Sequence, residues 1–210
     1  MCILLFMGRL ARHAEATILE CAKQVSAEVG PQKLTIAAVS ARAGAPVGSI
    51  YHRYASRDEI LATVWLDLVE EFQERFLATL AADDAVEAGL AAVRFTCQWV
   101  RRHPREARLM LMHRREDFAA DRWSQSHRRR AQALAAEAQE SLQRYASRLL
   151  GRGGPAALRG VRFALVDVPT AALKRDIEAD VSPSKRVEAL LLDTCAYALR
   201  RLRGDAPRAK

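Results

Sequence analysis

Residues 35–54 read TIAAVSARAGAPVGSIYHRY, and the rest of the fold follows outward from this stretch. Thr35 stands ahead of Ile36, Val39 and Ala43, apolar residues at the spacing of one helix face, so a short helix is expected with Thr35 as its N-cap. Gly44 ends that helix, because glycine accepts the positive φ of a sharp corner that a Cβ would resist. Pro46 suits the first turn of a helix, where its missing N–H is not needed. A third short helix is expected from Val47 to Arg53. Two short helices around a glycine turn, here Ala43-Gly44-Ala45, form the helix-turn-helix pattern. In that pattern one helix braces against the core and the next lies in the major groove of DNA.

Upstream, Ile18, Ala22, Val25 and Val29 fall at i, i+4, i+7 and i+11, predicting a helix from about Leu10 to Val29 that Gly30-Pro31 stops. Downstream, Ser56 caps a fourth helix with Asp58 and Glu59 in its first turn, where the helix dipole favours acids. The stripe Leu61, Trp65, Leu68, Phe72, Phe76 carries that helix to about Ala81. Further helices are expected near 84–102, 104–117, 121–150, 155–167 and 183–203. Gly151 to Pro155 is the clearest break, Pro169 limits the segment before it, and 170–181 is open between helix and loop. The reading is an all-α chain of about nine helices. Residues 9–60 form a three-helix DNA-binding domain, and the fourth helix, 57–81, leads into a larger helical domain over 61–204.

Composition agrees. Half of the 210 residues are apolar, only 6% are aromatic, and 10 Gly and 7 Pro leave long uninterrupted runs. Ala, Leu and Arg dominate, and these lose little on entering a helix. The net charge of +8 suits an anionic partner without identifying it. From Val29 to Arg57 there are four basic residues (Lys33, Arg42, Arg53, Arg57) and no acid, the balance expected of a surface that meets phosphates.

Cys2, Cys21, Cys97 and Cys195 form no CxxC or Cys/His spacing, and His103, His113 and His127 have no metal-ligand spacing. No metal and no cofactor are therefore expected, and a reduced, cytoplasmic setting is the simpler reading. The opening MCILLFMGRL is too short for a secretory signal or a membrane span, and Met7 is a second candidate start. No GxSxG, HExxH, P-loop or GxGxxG is present, and the chain is not expected to be an enzyme.

The runs Leu34-Thr35-Ile36, Gly48-Ser49-Ile50-Tyr51-His52 and Tyr54-Ala55-Ser56-Arg57-Asp58-Glu59-Ile60-Leu61 resemble the DNA-binding domain of the tetracycline-repressor (TetR) family. The resemblance covers about residues 9–60 and implies roles one by one. Thr35 would cap the second helix beside a phosphate. Gly48 and Ser49 would approach the DNA closely, Tyr51 would donate its hydroxyl to a phosphate, and His52 would face the groove. Arg57 would contact phosphate from the start of the fourth helix, while Ile50 and Tyr54 pack inward. Ala45, Pro46 and Val47 lie on the same surface. Pro46 and Val47 depart from the polar residues usual in the family, which leaves few base-edge hydrogen bonds and apolar contacts such as Val47 with a thymine methyl.

The resemblance also implies a homodimer on a near-palindromic double-stranded DNA operator, and a repressor released by an unknown small-molecule effector. Trp65, Phe72, Phe95, Trp99, Met110, Phe118 and Trp123 are the candidate effector-pocket residues. Leu158, Val161 and Leu165 with Val187, Leu191, Thr194 and Ala198 are the candidate dimer interface. The alternative reading is a helical ligand-binding or scaffold protein whose DNA-binding unit has lost sequence specificity.

Overall fold

In the computed structural model, residues 2–204 are described, with side chains from residue 15 onward. Among them every regular element is helical. The helices are α1 (Cys2–Val29), α2 (Ile36–Ala43), α3 (Val47–Tyr51), α4 (Arg57–Thr79) and α5 (Ala85–Arg102), then α6 (Pro104–Met112), α7 (Gln125–Leu150), α8 (Pro155–Arg162), α9 (Val168–Glu178) and α10 (Lys185–Arg203). No described helix is long and apolar enough to cross a membrane.

The caps follow the sequence. Thr35 is extended and its hydroxyl accepts from the Ala38 N–H (3.1 Å). Asp84 accepts from the N–H groups of Val86 (2.8 Å) and Glu87 (2.9 Å), and Ser184 from that of Val187 (3.2 Å). Each satisfies donors that a helix start leaves open. Gly44 closes α2 at φ 62, ψ 23, the left-handed conformation its position demands.

Four departures have local causes. α1 begins at Cys2 rather than near Leu10, with no glycine-proline pair or other strong breaker in the sequence before Leu10. α6 stops at Met112 instead of running to 117: Asp117 accepts from the Arg114 N–H (2.9 Å), and a 3₁₀ turn follows over Arg115–Phe118. Ala119, at φ 58, then turns the chain, so α7 starts at Gln125. Pro169 does not end the helix before it. Residues Phe163–Asp167 take a π turn in which the Val168 N–H reaches the Phe163 carbonyl, and α9 continues beyond. Pro169 has no N–H to close that ladder. The carbonyl of Ala164, five residues before it, accepts instead from Cys195 Sγ (3.1 Å).

The chain divides into two compact units. The first holds residues up to Leu68 together with His113–Ala131; the second holds Val69–Met112 and the chain from Gln132. The division thus falls later in α4 than residue 61 and assigns 113–131 to the first unit. Ile18, Ala22, Val25, Leu34, Val39, Ile50, Ile60, Leu61 and Val64 are buried in the first unit. Val29, expected on the same stripe, is exposed.

The second unit is organised around α5 lying against α10, with α9 against α6. Its core includes Val93, Cys97, Leu109, Tyr145, Leu173, Cys195 and Leu199. Burial pushes the Cys97 and Cys195 thiols up to about 11, so both are small core residues rather than nucleophiles.

Gly89 marks a close crossing in this unit. A Cβ there would collide with the Tyr145 hydroxyl and lie 2.7 Å from Leu199 Cδ1. That hydroxyl donates to the Ala85 carbonyl (2.7 Å). Gly89→Ala is expected to displace Tyr145 and to cost about 1–3 kcal/mol of stability in urea unfolding. An unchanged midpoint would contradict this packing.

Candidate DNA-binding surface and effector cavity

In the first unit the turn between α2 and α3 is stitched from both sides. Ser40 Oγ donates to the Ala45 carbonyl (2.6 Å), and the Ala45 N–H donates back to the Ser40 carbonyl (3.2 Å). Ser40 was not among the expected site residues. Its only sequence signal is a small polar residue five positions before the corner, which fits a solvent-facing serine equally well.

Pro46 sits one position before α3, at φ −56 and ψ 141, rather than inside it. It presets the extended entry to the helix. α3 is short, Val47–Tyr51, and His52 closes it.

This short helix has two sides. Ile50 and Tyr54 are buried, 0% and 4% exposed. Pro46, Val47, Gly48, Tyr51 and His52 are exposed, and Ser49 and Ala45 are half-buried. Thr35, at the start of α2, is exposed as well. The exposed side therefore carries a methyl pair, a hydroxyl and an imidazole. A Cβ added at Gly48 would meet nothing within 4 Å. Nothing in the protein itself requires a glycine at that position.

The basic residues around the turn are engaged differently from the sequence expectation. Arg42 makes a two-pronged pair with Glu28, both contacts at 2.6 Å. Arg53 Nη1 donates to the Ser49 carbonyl (3.0 Å) and hydroxyl (2.8 Å).

Arg57, expected on a phosphate, faces inward. Its Nε donates to the Leu34 carbonyl (2.6 Å), its Nη2 to the carbonyls of Pro31 (2.9 Å) and Gln32 (2.5 Å), and its Nη1 to Asp58 (3.0 Å). A guanidinium satisfies several carbonyls at once because its donors are fixed in one plane. Arg57 thus clamps the turn that leads into α2. The same unit ties residues 113–131 to that turn and to α4: Gln32 donates to Asp117 (2.7 Å), Arg122 pairs with Asp58 (3.3 Å) and Arg130 with Asp67 (2.8 Å).

The expected effector-pocket residues separate. Trp65, Phe118 and Trp123 belong to the first unit. Trp65 packs on Phe118 with ring centroids 4.7 Å apart, and the Trp123 indole N–H donates to the Phe118 carbonyl (2.8 Å). Phe118 and Trp123 are buried core residues there. Phe72, Phe95, Trp99 and Met110 belong to the second unit. Phe72 meets Phe95 at 5.6 Å and the Trp99 ring edge-on at 4.9 Å.

Two cavities open beside this aromatic group. One, of about 540 Å³, is lined by Val69, Phe72, Gln73, Phe76, Leu77 and Met110, by Ala135, Ala138, Gln139 and Leu142 of α7, and by Leu158, Arg162 and Val166. The other, of about 160 Å³, shares Phe72, Phe76, Met110 and Val166 and adds Thr96, Trp99, Val100, Leu111, Leu165 and Thr170. Phe95 supports the wall without lining either. Among the described residues no group of three or more His, Cys, Asp or Glu is placed to hold a metal ion.

The expected dimer residues also divide. Val161, Leu165 and Leu191 are 0%, 1% and 4% exposed and lie inside the protomer's own core, so they cannot reach a partner. Leu158, Val187 and Ala198 are half-buried, and Thr194 is exposed. The large apolar side chains that face outward on α10 and the π turn are Leu190, Tyr197 and Phe163, each more than half exposed.

Residues 18–64 match the family model described as bacterial regulatory proteins, tetR family. No curated protein matches the sequence. Among solved structures, the fatty acid degradation regulator FadR from Bacillus halodurans superposes with a TM-score of 0.68 at 13% identity, over 88% of this chain and 97% of that one. The transcriptional regulator FadR from Bacillus subtilis, solved in complex with stearoyl-CoA, gives 0.68 at 14% identity over the same shares. A putative tetR family regulator from Shewanella sp. PV-4 gives 0.67 at 16% identity, over 89% of this chain and 95% of that one. At such identities the likeness is one of fold.

A helix-turn-helix unit followed by a helical body, with this match across α1 to α4, defines a DNA-binding transcriptional regulator. The tetR-family match itself is confined to residues 18–64, the helix-turn-helix unit.

Proposed function

We propose that the protein is a homodimeric repressor that leaves a near-palindromic operator when a small molecule fills the cavities of the second unit. The observation that carries the DNA-binding part is Gly48. A glycine inside a short helix weakens it by about 0.5–1 kcal/mol relative to alanine, yet no protein atom lies within 4 Å of where its Cβ would be. A surface that DNA must approach closely accounts for that cost.

Thr35 and Tyr51 then anchor phosphates, while Ala45, Pro46, Val47, Ser49 and His52 line the groove-facing side. Val47 offers a methyl contact to thymine. Arg57 serves from behind by holding the entry to α2. Gly48→Ala is expected to raise thermal stability slightly and to weaken operator binding at least tenfold in fluorescence anisotropy. A variant that is stabilised and binds as before would remove the support this residue gives.

Dimerisation rests on the outward apolar residues of the second unit, Phe163, Leu190 and Tyr197, with Thr194 among them. Exposed large apolar residues grouped on adjoining elements favour association. A two-fold dimer would set two α3 helices about one DNA turn apart, ~34–36 Å. Release is a population shift, in which an effector that prefers one spacing of the two α3 helices lowers operator affinity by that preference. α4 carries residues of both units, Arg57 at its start and Phe72 and Phe76 on the cavity wall. Replacing Leu190 and Tyr197 together by Glu and following mass by light scattering tests the interface; a dimer that persists would place it elsewhere.

A further inference from the structure

The two cavities of the second unit differ sharply in chemistry at their ends while sharing four residues, Phe72, Phe76, Met110 and Val166. The inner end is walled by Trp99, Val100, Leu111 and Leu165, with Thr96 and Thr170 the only hydroxyl-bearing residues in its lining. The Thr96 hydroxyl already donates to the Ala92 carbonyl (3.0 Å). The outer end carries Gln73, Gln139 and Arg162. Gln73 donates to the Leu134 carbonyl (2.9 Å). Arg162 is exposed and has no ion pair or hydrogen bond among the described residues. An arginine left without a carboxylate at the mouth of an apolar trough recognises an anion by charge and by its forked donors. The apolar walls recognise a chain by the area they remove from water.

We propose that the occupant is an anionic amphiphile, with its unbranched apolar chain in the trough past Phe72 and Met110 and its carboxylate or phosphate head on Arg162. This rests on reading the cavity as the effector site. The larger volume, about 540 Å³, falls within the range of small-molecule sites, and the smaller, about 160 Å³, extends it past the shared residues. No acidic side chain lines either cavity, so a cationic or neutral head would leave Arg162 unanswered.

The test is calorimetric titration of the full-length protein with dodecanoate, dodecyl phosphate and dodecanol, each below its micelle concentration, alongside release from operator DNA. At least one anion is expected to bind about tenfold or more tightly than dodecanol, the scale of a charge-assisted hydrogen bond. Which anion binds better identifies the head. Arg162→Gln is expected to abolish that gap and leave dodecanol binding as it was. Val166→Trp, which fills the shared waist, is expected to weaken all three ligands while the helical circular dichroism is retained. Equal affinity for the alcohol and both anions, no binding of any of them, or an anion preference that survives Arg162→Gln would overturn the proposal. Arg162-dependent binding without operator release would uphold the ligand class and remove the effector reading instead.

Discussion

Arg57→Ala is expected to lower the stability of the DNA-free protein by about 2–4 kcal/mol and to abolish operator binding with it. The guanidinium donates to three backbone carbonyls, those of Pro31, Gln32 and Leu34, and to Asp58. Hydrogen bonds from a charged donor contribute about 1.5–3 kcal/mol each when isolated, and those sharing one side chain add incompletely. Its side chain is 28% exposed, so water recovers part of the loss. The turn it holds delivers Thr35 to the start of α2, so loosening it disorders the cap as well as the DNA surface. Arg57→Lys is expected to rescue little, because one ammonium cannot span three carbonyls. Differential scanning calorimetry without DNA separates the roles. A residue that only touches phosphate would lower affinity and leave the melting temperature unchanged.

The second large effect lies in the other unit. Glu188 is 6% exposed on α10 and pairs with Arg101 of α5, with Lys185 Nζ at 3.2 Å as a second partner. Burial pushes the Glu188 carboxyl up, but hydrogen bonds from Arg101 and Lys185 outweigh it and hold the group below the usual carboxylate range. Removing one partner of a buried pair leaves an uncompensated charge, which costs about 3–5 kcal/mol in the full case. Lys185 remains in Arg101→Met, so about 2–3 kcal/mol is expected. The double replacement Arg101→Met with Glu188→Leu is expected to recover most of that loss.

The pH dependence has a fixed sign. A carboxyl whose folded pKa is depressed contributes stability above its unfolded pKa, about 4.3 for glutamate. That contribution disappears as pH falls through the lower folded value. Urea midpoints measured from pH 6 downward are expected to drop more steeply in the parent protein than in the double variant. Parallel acid limbs would show that the pair adds nothing.

Local chemistry made much of the first 60 residues legible. Thr35, Gly44 and Ser56 act on donors and corners within a few positions of themselves, so their roles can be written from neighbours alone. Asp84 and Ser184 cap their helices by the same local means. Arg57 was not, since its partners lie 23–26 residues earlier and a basic residue near a DNA-binding turn reads as a phosphate contact. The π turn before Pro169 was hidden because a proline marks where a ladder must change without saying whether the helix stops or widens.

Periodicity could not choose between the faces of α10 for a related reason. α10 carries apolar residues on two faces, and spacing alone cannot say which one the core takes. Leu191, Cys195 and Leu199 go inward, and Leu190 and Tyr197 face out. The aromatic residues show the same limit. Trp65 and Trp99 are both bulky helix residues, yet one packs in the DNA-binding unit and the other walls a cavity.

On the proposed function, the exposed side of α2 and α3 binds DNA. Fluorescence anisotropy of the full-length protein with labelled DNA from upstream of its own gene tests it most directly, titrated at about 50 and 200 mM salt beside a scrambled duplex and the Tyr51→Phe variant. Tight binding to the upstream DNA is expected, with loss of affinity by orders of magnitude between those salts, preference over the scrambled duplex, and uniformly weaker binding by Tyr51→Phe. Equal, salt-insensitive affinity for both duplexes, unchanged in the variant, would contradict it.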